Sequence, residues 1–440
     1  MVEEKEISLD LSKILQTLNK HRTAISLLIL LGIFYLSFSI RLATVNQPYL
    51  LAADPHFWYR MTKYIAEDNI PKYDPLRLHP EYGKFNPGFF PYAAAYSYKV
   101  VHFFTGIDFY RFLFWFPAFV AALSVFPAFW IGKELYSNKA GLFAAFFIGL
   151  TPSFLSRSMA GFFDTDCMVI LFSLLTVALF LSAYNRVDAN NLKKKSPIIL
   201  SILAGLSLSV FFFTWGGGAA YIPWLFIGLF VLHFAYRFVI AECIGGKKIL
   251  NSILYIIFFP ISLIFLLDKE QKQFLKEKLK HSYLFFRGHL LVYILLFVSF
   301  LCFTFPFQGL KPINSIIGAA TFFQTGKAEG GIFPNVMVSI SEEMSASLTE
   351  VVIRVGTPIF IFGIIGLSIL FLFFIFNFGK KSIYPETFFF MFIWIAPTLY
   401  GSLWAIRFSQ MLAIPMSICA GIALGVLFDL SIKMIKKYYK

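Results

Sequence analysis

The stretch MAGFFDTDCMVILFSLLTVALFLSAY, residues 159–184, decides what kind of protein this is. Two carboxylates, Asp164 and Asp166, stand directly before an uncharged apolar run from Cys167 to Tyr184. A helix needs about 20 apolar residues to cross the hydrocarbon of a bilayer. Runs of that kind recur along the chain: Ile25–Ala43, Tyr110–Gly132, Ala140–Ser156, Ile198–Thr214, Ala219–Ile240, Leu290–Phe305, Pro358–Phe378, Thr387–Leu403 and Met411–Ile432. Of the 440 residues 58% are hydrophobic and only 14% charged, and the mean hydropathy is +0.72. A soluble protein of this size has no way to cover so much apolar surface, so its solvent is lipid. The sequence predicts an all-α, polytopic membrane protein with at least ten spans, about 10–13 in all.

The net charge of +14 would suggest nucleic acid in a soluble domain, but here the basic residues sit in short loops between spans and act as an orientation signal. No nucleic-acid partner is expected. Lysines cluster at 193–195, 247–248, 269–280, 380–381 and 433–440, which assigns those loops and both termini to the cytoplasm. The outer loops are then 44–108, 157–166 and 308–355, and the expected location is the cell membrane, multi-pass, with membrane lipid as a partner. The first run follows a stretch unlike a signal peptide and ends at Arg41 without a small-residue cleavage site, so it reads as a retained anchor. Residues 249–267, with basic clusters on both sides and Pro260 in the middle, read as a re-entrant hairpin or as one of a pair of spans. The piece Pro87–Phe104, which carries Lys99 and His102, reads as an interfacial helix. The four dispersed cysteines show no CxxC pair and no metal-ligand spacing, and they say nothing about redox chemistry. The whole chain, 1–440, reads as one transmembrane domain with no soluble domain.

Acidic residues number only 24, so their positions carry information. On the outer side stand Asp54 in Ala-Asp-Pro-His-Phe-Trp-Tyr-Arg (53–60), the Asp164-Thr165-Asp166 pair, and Glu342–Glu343 in Ser-Ile-Ser-Glu-Glu (339–343). Each has a local reading. Asp164 and Asp166 suit a helix N-terminus, Ser339-x-x-Glu342 is a capping-box pattern, and Asp54-Pro55 is a helix start. Together they make an oxygen-rich set for a hard divalent cation such as Mg²⁺ or Mn²⁺, and the two roles are compatible. Arg157, Arg354 and Arg407 lie on the same side, against the usual charge bias. Arginines at span ends often snorkel to headgroups, but a fixed cation beside a carboxylate site, as at Arg407, suits a phosphate or pyrophosphate.

These residues resemble the STT3 family of oligosaccharyltransferases, with archaeal AglB and bacterial PglB. Residues 159–166 are similar to its second D-x-D region, 54–60 to its first acidic motif, and 339–342 to the S/T-x-x-E motif of its last large outer loop. Arg407-Phe408 followed by Ala413-Ile414-Pro415 resembles the family's pyrophosphate-contacting arginine, and Trp215-Gly216-Gly217 its Trp-Gly-Gly. The resemblance implies a GT-C type fold and transfer of a glycan from a dolichyl or polyprenyl (di)phosphate carrier to the asparagine of Asn-x-Ser/Thr. It also implies Asp54, Asp164, Asp166 and Glu342 as metal ligands for Mn²⁺ or Mg²⁺, Asp54 and Glu342 as catalytic contacts to the acceptor amide, Arg157 and Arg407 on the donor phosphate, and Arg354 on the acceptor peptide.

The sequence departs from the family in containing no Trp-Trp pair for the W-W-D motif that reads the sequon. A separate subunit supplying that outer domain is therefore an expected partner. Two other readings stay open. One is a different polyprenyl-phosphate glycosyltransferase of the same fold with a non-sequon acceptor; the other is a non-catalytic STT3-like subunit or a transporter of lipid-linked sugars. Transporters usually carry ionisable groups at mid-membrane, whereas the acids here gather at one surface.

Overall fold

Lipid offers the backbone no hydrogen bonds, so an apolar chain of this kind satisfies its N–H and C=O groups within helices. The computed structural model describes residues 21–77, 80, 82–188, 191–235, 269–321, 341–376 and 384–438. Its helices are α1 (Arg22–Arg41), α2 (Asp54–Ala66), α3 (Phe89–Thr105), α4 (Phe109–Ala122), α5 (Val125–Leu135), α6 (Asn138–Leu150), α7 (Pro152–Leu155), α8 (Asp166–Asn185), α9 (Lys195–Trp215), α10 (Tyr221–Ala235), α11 (Lys269–Gln308), α12 (Lys311–Thr321), α13 (Leu348–Val355), α14 (Thr357–Phe376), α15 (Tyr384–Trp404) and α16 (Ser409–Tyr438). Among the described residues the one sheet is a two-stranded antiparallel ladder, β1 (Tyr73–Asp74) with β2 (Gly83–Lys84), in the loop after α2.

Eight helical stretches among the described residues are long and apolar enough to span a membrane. One of them, Lys195–Leu232, contains two of the predicted runs, separated at Gly216, and the shorter Asn138–Leu150 accounts for another. Each of the ten predicted runs is thus mostly helical over its described residues, with interruptions at Leu123–Ser124 and Thr151. The run Tyr110–Gly132 is not one straight helix, because the chain breaks between α4 and α5 at Leu123–Ser124. The segment 249–267 and residues 322–340 of the last outer loop fall outside the described residues, as does Cys243.

The most enclosed helices are α8 and α16, while α1 presents Leu27, Leu28 and Tyr35 outward. The helix α16 packs chiefly on α14 and α6, and α9 on α8 and α11. In lipid, such contacts rest on close backbone approach rather than on hydrophobic exclusion. Gly366 of α14 shows this: a Cβ built there would lie 2.0 Å from the carbonyl oxygen of Cys419 in α16. This crossing matters for the site because α16 begins beside Arg407. Its first turn is fixed only as well as its packing on α6 and α14.

Gly366→Val should therefore force α14 and α16 apart at a cost of about 1–3 kcal/mol. A thermal scan in detergent should show a lowered midpoint, whereas Gly32→Val, where nothing lies within 4 Å, should leave it in place. Equal midpoints for the two variants would contradict this packing.

Candidate active site

The N-termini of α2, α8 and α16 meet at one end of the bundle, and the chain reaches each through a short polar segment. The segment between α7 and α8 carries the Asp164-Thr165-Asp166 pair and is held by its main chain. Ala160 N–H donates to the Arg41 carbonyl at 2.7 Å, Gly161 N–H to the Phe114 carbonyl at 2.9 Å, and Leu51 N–H to the Gly161 carbonyl at 2.9 Å. The Thr44 hydroxyl donates to the Ala160 carbonyl at 2.7 Å. Gly161 has φ +87°, and a Cβ there would meet the Phe114 ring at 2.6 Å. Only glycine fits both constraints.

Arg41 grips the same segment by its side chain. Its guanidinium is fully buried. Nε donates to the Ser158 hydroxyl at 2.9 Å, and NH1 donates to the carbonyls of Ser37 and Gly149, each at 2.9 Å. The guanidinium carbon sits 4.8 Å from the centre of the Phe154 ring. A buried cation without a carboxylate is costly. Here the carbonyl end of α6, where the helix dipole is negative, takes that part.

Arg157 is the centre of the polar cluster. Its Nε donates to Asp166 Oδ2 at 2.9 Å, NH1 to Glu342 Oε1 at 2.6 Å and NH2 to Glu342 Oε2 at 2.9 Å. The guanidinium lies 5.1 Å from the Phe162 ring centre. Burial works against its charge, but Asp166 and Glu342 outweigh that and raise its pKa. The glutamates sit in a short 3₁₀ turn, Ser341–Glu343. Two main-chain bonds tie this region to the link between α15 and α16: Ile406 N–H to the Met344 carbonyl and Ala346 N–H to the Leu403 carbonyl, both 3.1 Å. That register brings Arg407, in the 3₁₀ turn Ile406–Phe408, into an ion pair with the buried Glu343.

Asp54 opens α2 with Pro55 in its first turn, as its sequence predicts. The helix is braced by a two-pronged pair between Arg60 and Asp74, with Arg60 NH2 3.0 Å from Asp74 Oδ2. Asp54 is exposed and lies near enough for its charge to act on Asp164. Asp166 does occupy the first turn of α8, but Thr165 makes no side-chain cap there. Asp164 accepts from the main chain and hydroxyl of Thr165. Ser339 falls outside the described residues; a capping box is present instead at Ser347 and Glu350, at the start of α13. Arg354 is exposed on that helix, and the charge it acts on is Glu350.

The structure thus brings Asp54, Asp164, Asp166, Glu342, Arg157 and Arg407 to one end of the molecule. Among the described residues, no three carboxylate, imidazole or thiol side chains converge in metal-binding geometry. Uncompensated carboxylates repel one another, and Arg157 is the cation between two of them. The donors still suit a hard divalent ion. All are carboxylates, and Asp164 bears an unrelieved charge: burial above all, with Asp166 and Asp54 adding repulsion, lifts its pKa to about 6. Sequence reasoning gave no site role to Arg41, Ser158 or Gly161, and it counted Glu343 among the outer acids without its pairing to Arg407. The available signal was Arg41 itself, an arginine at the outer end of a span.

Two outcomes follow. The Asp164 carboxyl titrates at about 6 when folded against an ordinary 3.8, so the folded chain binds more protons in between. Its contribution to stability is complete below about 3.8 and is lost as pH rises through about 6. In chelator, Asp164→Asn should be more stable than the natural chain near pH 8 by on the order of 2 kcal/mol, and the gap should close as pH falls towards about 4. Thermal unfolding across pH reads this directly. Gly161→Ala, strained in φ and pressed on Phe114, should lose at least about tenfold in any activity of this site, since misplacing catalytic groups by about 1 Å has effects of that order or more.

Similarity to known proteins agrees with this layout. The family model described as "Oligosaccharyl transferase STT3, N-terminal" matches residues 24–439. A dolichyl-phosphooligosaccharide-protein glycotransferase of Methanococcus voltae is 24% identical over 92% of this chain and 46% of its own length. Glycotransferase 3 of Archaeoglobus fulgidus is 24% identical over 62% of this chain and 29% of its own. The chain spans less than half the length of these curated relatives. Among solved structures, the A. fulgidus oligosaccharyltransferase AglB in complex with an inhibitory peptide and a dolichol-phosphate superposes with a TM-score of 0.66 at 18% identity. That match covers 96% of this chain and 52% of AglB. Another structure of the A. fulgidus enzyme, in complex with Zn and sulfate, gives 0.58 at 19% identity over 91% of this chain and 49% of that one. These likenesses establish a GT-C type membrane fold, and the sequence match over nearly the whole length establishes that the chain belongs to the STT3 oligosaccharyltransferase family.

Proposed function

We propose that this chain carries out the transfer step of protein N-glycosylation, moving a glycan from a dolichyl or polyprenyl (di)phosphate to the asparagine of Asn-x-Ser/Thr at the outer face of the cell membrane. The observation that carries this reading is the joint placement of Arg157 and Arg407 among the acids of three separate segments, bound through the adjacent glutamates 342 and 343. Support also comes from the relatives, named for dolichyl-phosphooligosaccharide-protein glycotransfer, and from solved complexes of A. fulgidus AglB with a dolichol-phosphate and of the same organism's enzyme with an NVT sequon peptide. Lysine-rich loops at the opposite ends of α8 and α16 support a cytoplasmic side there and, with it, cytoplasmic termini.

The reaction forms a bond from the amide nitrogen to sugar C1 and breaks the bond from C1 to the phosphate oxygen. An amide nitrogen is a poor nucleophile because its lone pair is delocalised, the same resonance that sets a rotation barrier of roughly 18–20 kcal/mol. Asp54 and Glu342 accept the two amide N–H groups, which weakens that conjugation, orients the nitrogen and gives its leaving proton an acceptor. Arg407, pinned by Glu343, faces the departing phosphate, as does Arg157. A divalent cation, Mn²⁺ or Mg²⁺, held by Asp54, Asp164, Asp166 and Glu342 would neutralise charge on the leaving phosphate. Arg354, exposed on α13, would meet an acidic residue of the acceptor peptide. We read the residues matched by the family model, 24–439, as a transmembrane catalytic domain.

The test uses the chain in liposomes with crude lipid-linked oligosaccharide, Mn²⁺ and a fluorescent Asn-x-Thr peptide, read by gel shift. Metal-dependent glycopeptide is expected, with a fall of about 10²–10³-fold in Glu342→Gln and Asp164→Ala. Glycan appearing on a lipid or hydroxyl acceptor but never on the peptide would favour the other glycosyltransferase reading.

A further inference from the structure

Arg157 competes with a divalent cation for Glu342. Both oxygens of Glu342 are taken by the Arg157 fork, and the remaining guanidinium nitrogen is on Asp166. All three nitrogens of Arg157 are therefore engaged, and its plane is backed by the Phe162 ring. The contact also joins segments 185 positions apart in the chain, the D-x-D segment and the Ser341–Glu343 turn. Arg407 differs, since its bond to Glu343 engages one nitrogen, NH1.

We propose that Arg157 is a latch that occupies the cation's place on Asp166 and Glu342, so that the divalent cation and the donor phosphate each release what the other needs. This rests on the assignment of donor phosphate and metal made under the proposed function. When the cation takes Glu342, the guanidinium is freed with its five N–H donors in the fork geometry that matches a phosphate. When a phosphate takes Arg157, the two carboxylates are freed for the cation. The two ligands then bind with positive cooperativity, and by linkage the factor is the same in both directions. In the absence of both, the latch keeps the 341–343 turn closed on the D-x-D segment and the carboxylates compensated.

The experiment measures Mn²⁺ affinity by electron paramagnetic resonance on the full chain in nanodiscs, with no glycan donor, for the natural chain, Arg157→Gln and Arg157→Lys. Both variants should bind Mn²⁺ more tightly, Arg157→Gln by on the order of tenfold. Lysine is the telling substitution because it keeps the positive charge but lacks the fork that engages Glu342 and Asp166 together. Repeating the titration with dolichyl monophosphate should tighten Mn²⁺ binding by the natural chain by a similar factor and leave Arg157→Gln unchanged. Arg157→Lys matching the natural chain, or a natural chain indifferent to dolichyl monophosphate, would overturn the latch while the metal site stands. No Mn²⁺ bound by any of the three would remove both the latch and the metal part of the proposed function.

Discussion

Like charges held at one surface require a cation among them, and that requirement organises this protein. Two unit charges about 4 Å apart interact by roughly 4 kcal/mol at the effective dielectric of a protein surface. Asp164, Asp166 and Asp54 crowd one end of the bundle, and the rise of the Asp164 pKa to about 6 registers the strain. Arg157 relieves part of it by bridging Asp166 and Glu342, and Arg407 does the same for Glu343. On the proposed reading, the partially relieved remainder is the charge that a divalent cation would neutralise. A site with its charges fully compensated would have no use for one.

The bilayer sets the other boundary condition. Helices are the only open-ended spanning structure in lipid, and they meet through small residues. The consequence for chemistry is rigidity at the helix ends. The crossing at Gly366 fixes α16, α16 fixes the turn containing Arg407, and two main-chain bonds carry that register to the glutamates. On the other side, Arg41 and the main chain of Ala160 and Gly161 tie the D-x-D segment to α1 and α4. Both halves of the site are thus mounted on packed helices, with Arg157 spanning the gap between them.

Spans were legible in the sequence because lipid imposes one apolar run per crossing, and the described part of each of the ten runs is mainly helix. The break at Leu123–Ser124 was not legible, since nothing in an apolar run marks where packing bends it. The acids of the site were legible because carboxylates are scarce here, so three outer groups stood out. Their partners were not. Pairing Glu342 with Arg157 and Glu343 with Arg407 depends on the register between the 341–346 segment and residues 403–406, which is a tertiary fact. Arg41 looked like the end of an anchor because its four hydrogen-bond acceptors are neutral oxygens from positions up to 117 residues away, and such acceptors leave no mark in a sequence. The metal reading anticipated ligands already gathered, whereas the structure shows an arginine between two of them.

The most direct measurement is an electron cryo-microscopy structure of the full chain in nanodiscs with Mn²⁺ and dolichyl monophosphate bound. The account predicts one metal density among Asp54, Asp164, Asp166 and Glu342, with the Arg157 guanidinium turned from Glu342 to the phosphate beside Arg407. A map in which both ligands are bound while Arg157 still grips Glu342, or in which the metal lies away from these carboxylates, would contradict it.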